Sequence, residues 1–169
     1  MHSILERRSR GAAGFSLIEL IVVVAIIMII AAIAIPRMLS SKMRANETAV
    51  VEALRSIATG QTAYHSTFQR GFASSLEALG PPPTGDPASA DRANLIDPLL
   101  ATGARNGYVF DYQPGPVDAE GRISTFTVNA NPVKAGQTGT KFFFMDEKNS
   151  IRFSLDGPAG PDSPLIPQG

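Results

Sequence analysis

The chain has 169 residues, of which 44% are hydrophobic and 18% charged, and its 15 basic residues balance 15 acidic ones. A formal net charge of zero argues against nucleic-acid binding, because neutralising phosphates needs clustered Lys and Arg. The chain contains no cysteine, which excludes a disulfide framework, a cysteine-ligated zinc site and a thiol nucleophile. Its length suits one domain of about 100–200 residues, yet much of the hydrophobicity lies in a single run.

That run, Phe15–Ile35, contains only Ser16 and Glu19 as polar members. At about 1.5 Å per residue, a helix of this length rises roughly 30 Å, the thickness of a bilayer's hydrocarbon core. The preceding residues are net basic, which favours retention of the amino end in the cytoplasm. This charge alone does not settle the orientation, because basic residues also follow the run, namely Arg37, Lys42 and Arg44.

Three interpretations of this amino end compete. A cleaved secretory signal is compatible with Ala32-Ile33-Ala34 as a cleavage site, but the run exceeds the about 7–15 apolar residues typical of such signals. An ordinary uncleaved anchor explains the run but not Glu19. A carboxylate inside a membrane segment costs about 2.5–3.5 kcal/mol and usually has a function, although near the headgroups the cost is small. The third interpretation follows from the residues at the start of the run.

Residues 14–20 read Gly-Phe-Ser-Leu-Ile-Glu-Leu, at the junction of a short basic leader and the apolar run. This junction resembles the processing signal of type IV pilins and of the pseudopilins of type II secretion. Pro36 stands where that family commonly has a helix-kinking proline. The resemblance is specific from about Arg10 to Asn46 and becomes generic beyond that.

The resemblance implies that a membrane prepilin peptidase cleaves after Gly14 and that Phe15 is then N-methylated. Residues 1–14 would be the removed leader, and residues 15–35 the helix half that spans the membrane and later forms the filament core. Glu19 would become the fifth residue of the processed chain, where the family keeps a glutamate. The resemblance therefore assigns Glu19 to subunit assembly.

The chemistry of Glu19 fits this role. Cleavage after Gly14 would create a cationic amine at Phe15, and both charges would lie in or beside an apolar phase, where each needs a partner. In a bundle of identical helices, the Glu19 carboxylate of one subunit can meet the Phe15 amine of its neighbour. Such a pair favours one axial register, so Glu19→Ala is expected to impair assembly more than anchoring.

Residues 36–70 are predicted to form an amphipathic second helix half. Apolar residues recur there with the period of a helix that has one buried face. The predicted buried residues are Met43, Val50, Leu54, Ile57, Tyr64 and Phe68. The predicted water-facing residues are Lys42, Arg44, Glu47, Glu52, Arg55 and Gln61. Pro36 is expected to bend the helix, and Gly71 is expected to end it.

The remainder of the chain predicts a loop, a sheet and a tail. The Gly- and Pro-rich segment 71–107 is predicted to be a connecting loop in which Leu76–Leu79 and Leu95–Leu100 form single helical turns. Residues 108–156 are rich in aromatic and β-branched residues separated by turn residues, which predicts an antiparallel sheet of about four strands. These strands are Tyr108–Tyr112, Ile123–Ala130, Lys141–Asp146 and Ser150–Leu155. The Pro-rich tail 157–169 is expected to be poorly ordered.

The fold class predicted is therefore α+β and pilin-like, with a long amino-terminal helix packed against a carboxy-terminal antiparallel sheet. No catalytic constellation, phosphate-binding loop or metal cluster can be assembled from the sequence, so neither an enzymatic activity nor a cofactor is expected. Asp156 and Asp162 are faintly similar to the tail of the calcium-binding major pseudopilin, a resemblance that would make calcium a ligand. Asn46-Glu47-Thr48 has the form of a glycosylation sequon.

The sequence as a whole predicts a structural subunit of a type IV pilus-like filament. The resemblance implies self-assembly, processing by the prepilin peptidase, and an assembly platform protein with its ATPase. The precursor would cross the inner membrane once with its carboxy-terminal domain in the periplasm, and the filament would be extracellular or periplasmic. A type II secretion pseudopilin is the first alternative, because many pilins tie their carboxy-terminal region with a disulfide and this chain cannot. The second is a membrane-anchored sensor or binding domain.

Overall fold

A computed structural model describes residues 14–167. Three helices precede the sheet: α1 (Leu17–Phe68), α2 (Leu76–Leu79) and α3 (Pro98–Ala101). Five strands follow: β1 (Ala104–Arg105), β2 (Tyr108–Pro114), β3 (Phe126–Pro132), β4 (Phe142–Asp146) and β5 (Ile151–Ser154). The chain divides into two units between Met38 and Leu39. Residues 1–13 of the predicted leader lie outside the described residues.

Helix α1 begins two residues after Phe15 and is assigned without interruption through Pro36. A proline inside a helix lacks the backbone N–H of an i→i−4 bond and crowds the preceding turn. The kink at Pro36 stays a prediction. The helix ends where Gln69 and Gly71 adopt positive φ angles of 53° and 79°, which confirms a helix end close to the predicted position.

The second part of α1 buries one face. Val50, Leu54, Ile57 and Tyr64 are buried as predicted, whereas Met43 and Phe68 are only half-buried. The prediction that Glu47 and Gln61 face water is wrong, because their exposed fractions are 7% and 1%. Residues 47, 50, 54, 57, 61 and 64 alternate spacings of three and four, which places all six on one helix face. Their polar chemistry predicts exposure to water, whereas their position on the helix places them on the buried face.

The connecting segment contains the two short helices because each has its own cap. The Ser75 hydroxyl accepts a hydrogen bond from the Ala78 N–H at 3.1 Å, which starts α2. The Asp97 carboxylate accepts one from the Leu100 N–H at 3.0 Å, and Pro98 occupies the first turn of α3. The predicted turn at Leu76–Leu79 is confirmed, and the second lies at the end of the predicted 95–100 segment.

The sheet is antiparallel throughout, with strand order β1-β2-β3-β4-β5. It has five strands where about four were predicted, because the two-residue strand β1 pairs with the start of β2. Strand β3 begins at Phe126, three residues later than predicted, because Ile123 instead forms isolated bridges to Gly71 and Val117. The α+β architecture of a long helix with an antiparallel sheet is confirmed.

Alternate residues of the strands point to one face of the sheet and form the core together with α1. The buried residues of β2 and β3 include Tyr108, Phe110, Phe126, Val128 and Ala130. Those of β4 and β5 on the same face include Phe143, Met145 and Ile151. They share a hydrophobic cluster with Val50, Leu54 and Ile57 of α1, so the second part of the helix and the sheet complete one core.

The carboxy-terminal tail is attached to the sheet along residues 157–167, so the expectation of a poorly ordered tail is wrong there. The Asn129 side chain donates to the Ala159 carbonyl at 2.8 Å, and the Arg152 side chain donates to the Ser163 carbonyl at 2.8 Å. The Phe153 N–H donates to the Pro164 carbonyl, and the Ile166 N–H donates to the Ile151 carbonyl, at 2.9 and 3.0 Å. These bonds satisfy the free edge of β5, which a Pro-rich composition does not reveal.

Candidate assembly site

The candidate site starts at the junction of Gly14 and Phe15. Within the described residues, and apart from its chain neighbours, no heavy atom lies within 4 Å of the position that a Cβ of Gly14 would take. Phe15 follows with an exposed fraction of 82%. The first helical hydrogen bond runs from the Leu20 N–H to the Ser16 carbonyl at 3.3 Å. Among the described residues, the predicted cleavage point is therefore exposed and lies immediately before a helix.

The large apolar residues that follow are exposed in the described chain. Those from Phe15 to Met38 retain exposed fractions from 43% to 82%, and the most apolar 18-residue window of α1 contains no buried residue. The mean hydropathy of that window is 3.2. By length and composition this segment can cross a membrane. A continuous apolar surface of this kind marks contact with lipid or with other subunits.

Glu19 is the one acidic residue in this surface, and it lies in the first turn of α1. It is exposed, and its carboxylate makes no ion pair with any residue from 14 to 167. The unpaired N–H groups and the dipole of a helix start favour an anionic side chain at this point. Phe15 and Glu19 thus lie four residues apart at the start of the apolar surface, and Pro36 lies near its end.

The amino-terminal segment matches a known family. Residues 9–35 match the family described as the prokaryotic N-terminal methylation motif. The amino-terminal segment carries this motif. The resemblance to type IV pilins is thereby confirmed over the segment that contains Gly14, Phe15 and Glu19. An apolar amino-terminal helix fits the membrane anchoring of a pilin precursor.

The chain is also similar to a type IV pilin. The chain is 47% identical over 55 residues to the type IV wide pilus major component PilA4 of Thermus thermophilus. The match covers 32% of this chain and 42% of that protein. The chain therefore matches less than half the length of this relative. No solved structure was found to match the chain.

Beyond the methylation motif, sequence reasoning missed Glu47, which holds the β3–β4 connection against α1. Its Oε1 atom accepts hydrogen bonds from the Thr140 N–H and Oγ1, both at 2.8 Å, and from the Lys141 N–H at 3.3 Å. Its Oε2 atom lies 3.2 Å from the Lys141 Nζ. Burial raises the pKa of Glu47, but these hydrogen bonds and the Lys141 charge outweigh it, so that the pKa is lowered overall.

Gln61 is the second polar residue that the sequence reasoning placed on the wrong face. Its Oε1 atom accepts a hydrogen bond from the Ala73 N–H at 2.8 Å, and its Nε2 donates to the Tyr112 hydroxyl at 2.9 Å. The Tyr112 hydroxyl donates in turn to the Ala73 carbonyl. Burial raises the pKa of Tyr112, which keeps this hydroxyl a donor. Helical spacing from Val50 and Leu54 is the signal that could have found both residues.

Asp156 and Asp162 are the residues at which the sequence suggests calcium binding. Among residues 14–167 there is no group of three or more His, Cys, Asp or Glu side chains that could hold a metal ion. The backbone N–H of Asp156 donates to the Ser154 hydroxyl at 3.4 Å, and both Asp156 and Asp162 are exposed. Calcium usually takes about six to eight oxygen ligands, and calcium binding at Asp156 and Asp162 stays a prediction.

Proposed function

We propose that this chain is a structural subunit of a type IV pilus-like filament. It is stored in the membrane, processed at Gly14 and polymerised through residues 15–35. The observation that carries the proposal is the unpartnered apolar surface that starts directly after the Gly14-Phe15 junction. Its exposed residues, which include Phe15 and Met38, can be covered by lipid before assembly and by the helices of other subunits afterwards.

Processing prepares this segment for assembly. A prepilin peptidase cuts the peptide bond between Gly14 and Phe15, and methylation follows at the new Phe15 amine. The match to the N-terminal methylation motif supports both steps. The exposed, non-helical residues before α1 and the open space around Gly14 support access of a peptidase to the bond.

Glu19 has a defined task in the assembled filament. The Phe15 amine is cationic, and the Glu19 carboxylate of an adjacent subunit neutralises it within the packed helices. Two opposite charges in a low-dielectric core attract strongly, but removing one leaves the other buried and unpaired at a cost of about 3–5 kcal/mol. The pair therefore fixes the axial position of one helix against the next.

The remaining parts of the proposal concern location and partners. The precursor crosses the inner membrane once, with residues 39–169 in the periplasm, and the finished filament is extracellular or periplasmic. An assembly platform protein and its ATPase extract the subunit from the membrane. The chain itself has no enzymatic activity. The similarity to a wide-pilus component supports a filament subunit of the pilin type.

A pair of variants in the native host tests this function. Glu19→Ala is expected to reduce sheared filaments at least tenfold, while the amount of chain in the membrane fraction stays within about twofold of the parent. The tenfold loss corresponds to about 1.4 kcal/mol per assembly step, which is below the cost of an unpaired buried charge.

Glu52→Ala is the matched control, because Glu52 is an exposed glutamate of the same helix whose pairing with Arg55 is on the surface. This control should shed filaments like the parent. Normal filament yield from Glu19→Ala would contradict the assembly role of Glu19. If the parent chain forms no sheared filament but accumulates in the membrane as a processed chain, a secretion pseudopilin is the better assignment.

A further inference from the structure

The buried face of α1 repeats itself after seven residues. Its buried residues are Glu47, Val50, Ala53, Leu54, Ile57, Gly60, Gln61 and Tyr64. If α1 moved by seven residues along its axis, Val50 would take the position of Ile57, Ala53 that of Gly60 and Ile57 that of Tyr64. Each of these replacements exchanges one apolar or small residue for another. Seven residues come close to two helical turns, so the shifted face points in nearly the same direction.

Apolar packing alone therefore distinguishes poorly between two positions of the helix that differ by about 10.5 Å along its axis. Large buried side chains contribute most of the burial energy in either position, because the hydrophobic effect depends on area and has no direction. The sequence needs directional contacts to select one position.

Glu47 and Gln61 are the buried polar residues that provide such contacts, beside the bonds from Asn46 to the Thr138 carbonyl and from Tyr64 to the Ala90 carbonyl. Glu47 and Gln61 lie fourteen residues apart, which is two repeats of seven. In a helix slipped by seven residues, Glu47 would occupy the place of Leu54, and Leu54 would occupy the place of Gln61. Each exchange buries a polar group among apolar residues, or leaves the partners of Glu47 or Gln61 unsatisfied. Unsatisfied buried polar groups destabilise a slipped position, and charged groups do so more strongly.

We propose that Glu47 and Gln61 are positioning residues. They set the register of α1 against the sheet and against the loop that precedes the sheet. Glu47 ties the helix to the β3–β4 connection through Thr140 and Lys141. Gln61 ties it to Ala73 and to Tyr112 of β2. A single buried polar residue fixes the register of a coiled coil in the same way, by making the alternatives costly.

The consequence for assembly rests on the proposed function. A filament built through residues 15–35 presents each sheet where α1 holds it. Loss of the register would therefore scatter the sheets along the filament even if the core helices packed normally. The register itself is a property of residues 39–167 and can be measured without any filament.

Engineered cysteines can report the register, because the chain has none of its own. A Cβ built on Gly60 lies 3.6 Å from the Leu95 Cβ, inside the roughly 3.5–4.5 Å range that a disulfide needs. The pair Gly60→Cys with Leu95→Cys reports the native register. The pair Ala53→Cys with Leu95→Cys reports a slip of one repeat, because residue 53 then takes the place of residue 60.

The full-length chain is oxidised in membranes, and crosslinked chains are separated by gel mobility. In the otherwise unchanged chain, only the native pair should crosslink. With Glu47→Met and Gln61→Met together, we expect the ratio of slipped to native crosslinking to rise at least tenfold, the equivalent of about 1.4 kcal/mol. Glu47→Gln keeps an oxygen that can accept from Thr140 and should retain the native ratio.

The control carries methionine at two exposed positions of the same helix, Glu52 and Thr62, and should keep the native ratio. If the double variant does not accumulate, Glu47→Met alone serves, with a smaller shift in the same direction. An unchanged ratio in Glu47→Met, or an equal shift in the control, would overturn the inference. Either result stands whether or not the parent chain assembles into filaments, so a failure here is separate from a failure of the proposed function.

Discussion

Gly71 joins the end of α1 to the sheet, and Gly71→Ala should destabilise the chain more than a usual glycine replacement. Gly71 has a φ angle of +79°, and a Cβ at this position would lie 2.1 Å from the Ile123 carbonyl oxygen. That oxygen accepts a hydrogen bond from the Phe72 N–H at 2.7 Å, and the Ile123 N–H donates to the Arg70 carbonyl at 3.2 Å. A methyl group cannot fit without separating the two segments.

Two costs add in Gly71→Ala. An alanine forced into a left-handed conformation costs about 1–2 kcal/mol. Losing the two hydrogen bonds to Ile123 costs about 1 kcal/mol for each bond. The expected loss of unfolding free energy is therefore about 3–4 kcal/mol, measured by urea denaturation of the full-length chain in detergent with near-ultraviolet circular dichroism of its tyrosines.

Gly121→Ala is the matched control for this experiment. Gly121 has a φ angle of +80°, almost the same as Gly71, but nothing in the described structure lies within 4 Å of its built Cβ. Gly121→Ala should therefore show only the conformational cost of about 1–2 kcal/mol. Equal losses in the two variants would refute the contact between Gly71 and Ile123 as a source of stability.

Three further predictions concern other contacts of the sheet. Because the pKa of Glu47 is lowered from its ordinary value of 4.5, its stabilising contribution should be complete above about pH 4.5 and should fade as pH falls through the lowered value. The stability difference between the parent and Glu47→Gln, measured by urea titration, should therefore shrink in acid, and a difference independent of pH would contradict this. Asn46 should carry no glycan, because its amide donates to the Thr138 carbonyl at 2.8 Å; peptide mass spectrometry checks this, and a glycan on that peptide would show that the amide is free. Ending the chain after Gly157 should lower unfolding stability by at least about 2 kcal/mol, because four hydrogen bonds from the tail are lost, whereas no change in the urea midpoint would support the expectation of a loose tail.

Sequence reasoning predicted the elements whose patterns are local. The apolar run predicted the first part of α1. The helical spacing of apolar residues after Pro36 predicted that Val50 and Leu54 are buried. The short helix at Leu76–Leu79 could be predicted because its apolar residues stand between polar and Gly-rich segments. Ser75 caps this helix. The Gly14-Phe15 junction was recognised because its residues occur together at one defined point of the chain.

The missed features depend on distant partners. Glu47 is buried because Thr140 and Lys141, more than ninety residues away, supply its hydrogen bonds. Strand β1 has only two residues, too few for an alternating pattern, and exists through its pairing with β2. The tail is held by backbone carbonyls that pair with Arg152 and Phe153, which its proline content conceals. Local pattern cannot reveal such contacts before the sheet is formed.

The central claim is that the chain is processed after Gly14 and assembled through the helix that follows. Mass spectrometry of the amino-terminal peptide, in material sheared from cells and in the membrane fraction, tests it most directly. The account predicts a methylated Phe15 as the first residue of the chain in sheared filaments. An intact Met1, or a start at Ile35, in both fractions would contradict it and would leave a membrane-anchored or secreted domain.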